Sequence, residues 1–278
     1  TNLGEFSAAA GGELWVWGQN QSGILGQNGA ISEGSPGRRS SPVQIPGTTW
    51  RSVYGWVDNA QSRLIATKTD GTLWAWGAGD DGTLGLNVGG PSSKRSSPTQ
   101  VGTDTDWSDE RHVQKYGSNH IKTDGTMWVW GYNFYGQFGL NTRDERRSSP
   151  VQLPGTTWSK VTGDSDGGVL AVKTDGTAWG WGINEWGMLG LNQAHDLWIS
   201  SPTQIGTDTT WSDIRSGNNV SLATKTDGTA WSWGYNSSGK LGQNNNTTYS
   251  SPVQIPGTDW INPRWIAGSS TASLQKRA

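Results

Sequence analysis

Apolar and polar positions alternate in short runs along this chain, and the runs are punctuated by glycine, proline or an Asp-Gly pair. Alternation with period two is the mark of a half-buried strand, and no stretch sustains the 3.6-residue apolar period of a helix. Residues 221–260 show the pattern. Ser221–Lys225 predicts a strand, and Asp227-Gly228 predicts a hairpin turn that needs positive φ. The next strand holds Trp231 and Trp233, two apart and therefore on one face. A glycine-punctuated turn follows over Asn236–Gly242. Pro252–Ile255 then predicts a strand with proline at its first position, Pro256-Gly257 turns the chain, and Trp260 opens a fourth strand. Almost no helix is expected.

This unit is written five times. Trp-x-Trp-Gly recurs with its second tryptophan at Trp17, Trp76, Trp130, Trp181 and Trp233. Ser-Ser-Pro-(Val/Thr)-Gln keeps step at Pro42, Pro98, Pro150, Pro202 and Pro252, and a lone tryptophan follows at Trp50, Trp107, Trp158, Trp211 and Trp260. A shared period of about 50 residues means a repeat architecture. Small four-stranded sheets with two apolar faces are buried only by stacking on one another, and closing the stack into a ring removes its exposed ends. The expected fold is all-β: one β-propeller domain over residues 1–278, with five four-stranded blades and the paired tryptophans between them. Trp265–Leu274 reads as the start of a further hairpin and Glu5–Trp17 as its end, so the N- and C-terminal strands are expected to close the ring. An incomplete arc of a longer chain is the alternative.

Composition removes several kinds of function. Charged residues are 16% of the chain and the net charge is −2, which supplies no field for nucleic acid or an anionic membrane. There is no cysteine, so disulfides and thiol chemistry are excluded. No apolar run approaches the roughly 20 residues of a membrane span. His112, His120 and His195 fall in different repeats without zinc spacing, and Gly163–Gly167 and Asp80–Gly82 lack the spaced ligands of a calcium loop. No metal or cofactor is expected, and no nucleophile elbow or phosphate loop marks an enzyme.

Extending the tryptophan phrase gives Trp-Gly-x-Asn-x-x-Gly-x-Leu-Gly, complete at Trp17–Gly26, Trp181–Gly190 and Trp233–Gly242. Trp130–Gly139 differs in Phe138, and Trp76–Gly85 in Gly79. With the Asp-Gly hairpin and the Pro-Val-Gln strand, this resembles the repeat of the regulator of chromosome condensation family, of the bacterial or phage type, over essentially the whole chain. The resemblance implies a propeller, usually of seven blades, and a scaffold with no single activity. Where the family often places Gly-x-x-His, this chain keeps the histidine at Gly117–His120 but not at Gly163 or Gly217, and the photoreceptor signature Gly-Trp-Arg-His-Thr is missing, with Gly55-Trp56-Val57 its nearest approach.

If the repeats are scaffold, recognition belongs where they disagree. The linkers before Ser-Ser-Pro are 11, 8, 6, 7 and 5 residues long, and repeat symmetry puts all of them on one side of the disc. They end in Arg38-Arg39, Lys94-Arg95, Arg146-Arg147, Trp198-Ile199 and Thr248-Tyr249. One reading is a binding face of Arg38, Arg39, Lys94, Arg95, Arg146, Arg147, Trp198 and Tyr249. The other is that the arginines make ordinary ion pairs with Asp144, Glu145 or Asp196 on neighbouring blades. The expected function is a non-enzymatic module for binding and assembly with other protein subunits, as a virion component (decoration or tail fibre) or an extracellular surface module. A glycan-binding adhesin and a propeller-type enzyme inhibitor are the alternatives.

Overall fold

The computed structural model describes residues 2–29, 37–57, 61–90, 93–164, 166–193, 197–265 and 272–276. Among them, strands alternate with turns, and helix is confined to three-residue 3-10 turns. The first sheet joins β1 (Asn2–Gly18), β2 (Arg39–Trp56), β3 (Arg63–Lys68), β4 (Leu73–Gly77) and β5 (Arg95–Gln100) in that order. The second joins β6 (Trp107–Val113), β7 (Gly117–Lys122), β8 (Met127–Tyr132) and β9 (Arg146–Leu153). The third joins β10 (Trp158–Gly163), β11 (Gly168–Lys173), β12 (Ala178–Asn184) and β13 (Leu197–Gln204), and the fourth β14 (Trp211–Gly217), β15 (Val220–Lys225), β16 (Ala230–Gly234) and β17 (Tyr249–Ile255). A two-stranded sheet of β18 (Trp260–Trp265) and β19 (Ala272–Lys276) ends the chain.

The predicted unit is present, with one shift. The strand expected to begin at Pro252 begins at Tyr249, because the ladder to β16 runs through a register shift between Val253 and Tyr249. Proline lacks an N–H, and a bulge tolerates it inside a strand. The same shift recurs around Pro98, Pro150 and Pro202. The repeated glutamine faces the first tryptophan of each pair, as in Trp74 opposite Gln100 and Trp231 opposite Gln254.

The repeated units pack on one another, and each of four seams between units has its own apolar cluster, the first of them inside the five-stranded sheet. Leu14 and Ile45 meet Trp50 and Trp76; Ile65 and Val101 meet Trp107 and Trp130. Ile121 and Leu153 meet Trp158 and Trp181; Leu170 and Ile205 meet Trp211 and Trp233. Trp76, Trp130, Trp181 and Trp233 are fully buried. Each donates its indole N–H to a carbonyl of the preceding unit: Trp76 to Ile24 at 2.8 Å, Trp130 to Thr83 at 3.1 Å, Trp181 to Gln137 at 3.0 Å and Trp233 to Met188 at 2.8 Å. Burying such a ring removes on the order of 200 Å² from water, about 5 kcal/mol before entropy is charged against it. The glycine of the Leu-Gly turn is required at each seam. At Gly139, φ is +72°, and a Cβ would stand 3.1 Å from the Trp181 indole nitrogen.

The structure corrects the expected closure. β1 pairs with β2, and β18 pairs with β19, but no ladder joins the two ends among the described residues. Residues 266–271, within the expected C-terminal hairpin, lie outside the described residues. As a result, Trp15 and Trp17 are not wedged between units; they are 46% and 63% exposed.

Candidate binding face

Successive strands of each sheet are antiparallel. The Asp-Gly hairpins, which join β3 to β4, β7 to β8, β11 to β12 and β15 to β16, therefore emerge at one end, and the connections β4 to β5, β8 to β9, β12 to β13 and β16 to β17 at the other.

The Asp-Gly end is uniform. Asp70, Asp124, Asp175 and Asp227 each accept hydrogen bonds from the backbone N–H and the hydroxyl of the threonine two residues on. These bonds hold all four carboxyls below the ordinary aspartate range. The threonine hydroxyl also accepts the indole N–H of the first tryptophan, for example Trp74 to Thr72 at 2.8 Å. Lys68, Lys173 and Lys225 lie 3.9–4.0 Å over the rings of Trp74, Trp179 and Trp231. Polar groups satisfied in this repeated way make scaffold.

The other end differs from unit to unit. Arg38 and Arg39 are exposed at the start of β2, and Lys94 and Arg95 are half-buried at the start of β5, where the Arg95 guanidinium donates to the Lys94 carbonyl at 3.1 Å. Arg146 reaches across a seam to Asp81 at 2.5 Å and covers the Tyr132 ring at 4.0 Å. Arg147 pairs with Glu145 at 2.7 Å. Both arginines thus have ion-pair partners, and exposed pairs of this kind are worth under about 1 kcal/mol. Asp196, and with it His195, lies outside the described residues. Tyr249 is half-buried against the fourth seam's core, and its hydroxyl accepts from the Asn245 amide at 3.1 Å. Trp198 is 49% exposed.

Around Trp198 the structure assembles an aromatic cluster that the linker comparison does not reveal. Phe134 and Tyr135 lie with ring centroids 6.3 and 5.8 Å from Trp198, and 4.6 Å from each other. Tyr116 stands 6.2 Å from both Tyr132 and Tyr135. The Arg143 guanidinium covers the Trp198 ring at 4.7 Å. One seam further on, Trp186 packs 4.6 Å from Tyr235 and stays 41% exposed. Trp186 sits at φ +53°, where the equivalent positions carry Ser22 and Asp81. The left-handed backbone belongs to the repeated 3-10 turn, since Ser22 and Asp81 share it, and it aims the Trp186 ring at Tyr235. The available signal was the run Tyr132-Asn133-Phe134-Tyr135, which fills with aromatics the variable positions of the Trp-Gly-x-Asn-x-x-Gly phrase.

Buried polar groups hold this face from below. Arg63, fully buried, donates to the carbonyls of Gln114, Lys115 and Gly117, fixing the hairpin that carries Tyr116. Asp164 accepts from the backbone N–H groups of Asp166, Gly167 and Gly168 at 3.0–3.2 Å, which shapes the turn under Tyr135. Burial raises Asp164 to about 7. His112, whose Nε2 lies 3.2 Å from the Asp164 carbonyl, is lowered to about 4 by burial. His120 stacks on Trp130 at 4.5 Å, and burial together with Arg111 lowers it well below the usual histidine range. Among the described residues, no group of three or more His, Asp or Glu side chains is placed to hold a metal ion.

Comparison with known proteins gives this geometry its relatives. The chain is 25% identical to the ultraviolet-B receptor UVR8 of Arabidopsis thaliana over 256 residues, covering 88% of this chain and 54% of the receptor. It is 24% identical to the human E3 ubiquitin-protein ligase HERC2 over 90% of this chain, which is 5% of the ligase. It therefore spans about half of one curated relative and a small part of the other. The crystal structure of human WBSCR16 superposes with a TM-score of 0.71 at 20% identity, over 91% of this chain and 65% of that one. Prp20p of Saccharomyces cerevisiae, described with its binding to Gsp1p and histones, superposes with a TM-score of 0.68 at 17% identity, over 90% of this chain and 61% of that one. Residues 70–115, 124–164, 175–224 and 227–273 match the Regulator of chromosome condensation (RCC1) repeat, and the chain belongs to that family.

Proposed function

We propose that this chain is a rigid protein-docking module whose recognition surface is the aromatic and cationic end of its second to fourth sheets. Trp198, presented by β13 onto Phe134 and Tyr135 of the preceding unit and capped by Arg143, carries the reading. Tryptophan, tyrosine and arginine are the side chains that dominate protein–protein hot spots. Prp20p, a propeller of the same family fold, binds proteins. Arg38, Arg39, Lys94 and Arg95 form a polar flank to this surface, and Arg146 and Arg147 hold its loops through their ion pairs. A catalytic role is not proposed; His112, His120 and Asp164 are packed into the core. Placement in a virion or on an extracellular surface is a further proposal, supported by the low charge and the Ser-, Thr-, Asn- and Gly-rich connectors.

Affinity capture with wild-type protein, Trp198→Ala and Arg38→Ser/Arg39→Ser tests the reading. The partner is expected to be lost with Trp198→Ala and kept, more weakly, with the arginine pair. Equal retention by Trp198→Ala at unchanged melting temperature removes the aromatic face. A glycan array run on the same proteins reports the adhesin alternative, for which exposed Trp198 and Trp186 would serve as stacking platforms.

A further inference from the structure

The chain as a whole carries a net charge of −2, yet the fold sorts its charges onto opposite ends of the sheets. At the Asp-Gly end, Asp70, Asp124, Asp175, Asp227 and Asp259 are exposed, and none has an ion-pair partner among the described residues. The threonine bonds of the first four fix the hairpins without neutralising them, and they keep these carboxyls ionised. The lysines of this end are drawn inward. Lys122 and Lys225 are buried and satisfied by Asp104, Asp106 and Asp208 at 2.9–3.0 Å, while Lys68 and Lys173 lie over the Trp74 and Trp179 rings. What reaches solvent is mainly carboxylate.

The opposite end has the reverse sign. Asp81 and Glu145 are consumed by Arg146 and Arg147. Arg38, Arg39 and Arg143 are exposed, and with Lys94, Arg95 and Lys240 they meet no carboxylate within ion-pair distance among the described residues. Asp80, Asp144, Asp166 and Glu185 are left to oppose them, so cations are in excess. Arg143 and Lys240 lie 4.7 and 4.9 Å over the rings of Trp198 and Tyr235, which places charge beside the aromatic groups.

Both patterns follow the repeat. The connections leading into β2, β5, β9 and β17 each bring an unpaired cation, and the hairpins after β3, β7, β11 and β15 each bring an unpaired carboxylate. One rotation relates the members of both rows, so a copy stacked on the same axis meets carboxylates at the spacing of its own cations. An unrelated acidic surface has no reason to carry that spacing. Each hairpin carboxylate also follows an exposed threonine, at Thr69, Thr123, Thr174 and Thr226. A methyl beside a carboxylate suits a face that sets an aromatic ring beside a guanidinium.

We propose that the aromatic and cationic end docks on the Asp-Gly end of a second copy, so that chains associate head to tail. The inference rests on reading the variable end as a docking face, and it names the occupant. Such a contact is heterologous and leaves one end of each sort free to extend the stack. Opposite charge brings unlike ends together and keeps like ends apart, which sets the polarity.

Sedimentation velocity of the wild-type chain tests this without any variant. Species of two chains and more are expected at about 0.01 M salt, where the Debye length is about 30 Å, with association at least about tenfold weaker at about 0.1 M, where it is about 10 Å. Two variants then test the polarity. Arg38→Glu/Arg39→Glu/Arg143→Glu spoils the cationic end alone. Asp70→Asn/Asp124→Asn/Asp175→Asn/Asp227→Asn discharges the hairpins but keeps an acceptor for each threonine. Each variant by itself should be monomeric. Their equimolar mixture should give particles of two chains and none longer, because only one intact pair of ends remains. A wild type that stays monomeric at about 0.01 M salt, association of either variant alone, or a mixture that stays monomeric overturns the proposal. A monomeric chain that still captures a partner through Trp198 sinks the stack and leaves the docking face standing. Stacking that survives Trp198→Ala unchanged does the opposite to the aromatic reading.

Discussion

Replacing Trp181 with phenylalanine tests the seams most directly. The indole is fully buried, donates to the Gln137 carbonyl at 3.0 Å and packs 5.6 Å from Trp158. Phenylalanine keeps an aromatic ring but loses the N–H and on the order of 40 Å³ of volume, and at about 24 cal/mol per Å³ the space left behind costs about 1 kcal/mol. The lost hydrogen bond costs about 1 kcal/mol more. It costs no more than that because the Gln137 carbonyl also accepts from the Asn119 amide at 3.2 Å and is not left bare. The sum, about 2 kcal/mol, should lower the melting temperature by on the order of 5 °C in a chain of this size. Circular dichroism against temperature, with Trp198→Phe as the exposed control, provides the assay. Trp76→Phe, Trp130→Phe and Trp233→Phe should match Trp181→Phe. The reasoning fails if Trp181→Phe costs no more than Trp198→Phe.

Three further outcomes follow from the same contacts. Asp164→Asn should stabilise the protein at neutral pH. The native carboxyl holds its proton up to about pH 7 while the unfolded one releases it near 3.8, so the wild type loses stability as pH rises between those values. The variant escapes that loss, by up to about 4 kcal/mol; melting curves at pH 4 and pH 8 that give the same difference between the two proteins would contradict it. Asp175→Ala removes the acceptor for both Thr177 bonds and should lower the urea midpoint, while partner capture at the opposite end of the sheets is unchanged. Gly139→Ala should be harsher than Gly206→Ala, although both glycines have positive φ, because only the former meets neighbouring side chains; similar urea midpoints for the two would show that backbone strain alone sets the cost.

Much of the fold was legible because its determinants are local and repeated. An Asp-Gly turn, two tryptophans on one face and a proline-led strand each act within a few residues, and writing them five times removed the ambiguity of a single reading. The proline's place inside its strand was not legible, since the bulge that admits it exists only once β16 is alongside β17. The site was harder. For Arg146 and Arg147 the sequence offered a binding face or ion pairs with Asp144, Glu145 or Asp196; Glu145, two residues from Arg147, was thus legible, whereas Asp81, the partner of Arg146 across a seam, is found only by folding. Trp198 stood out as an odd residue, but Phe134 and Tyr135 lie in what the repeat treats as filler and become a surface only when two units are stacked.

The sequence alone determined the period, the strand content and the resemblance to the family, because each depends on spacing along the chain. Tertiary structure decided which tryptophans are buried, which arginines are neutralised, and that the aromatic residues of separate repeats form one face. Those depend on which unit lies against which, and identical motifs carry no record of that: Trp17 and Trp76 occupy the same place in their repeats, and only the presence of a preceding unit makes one of them core.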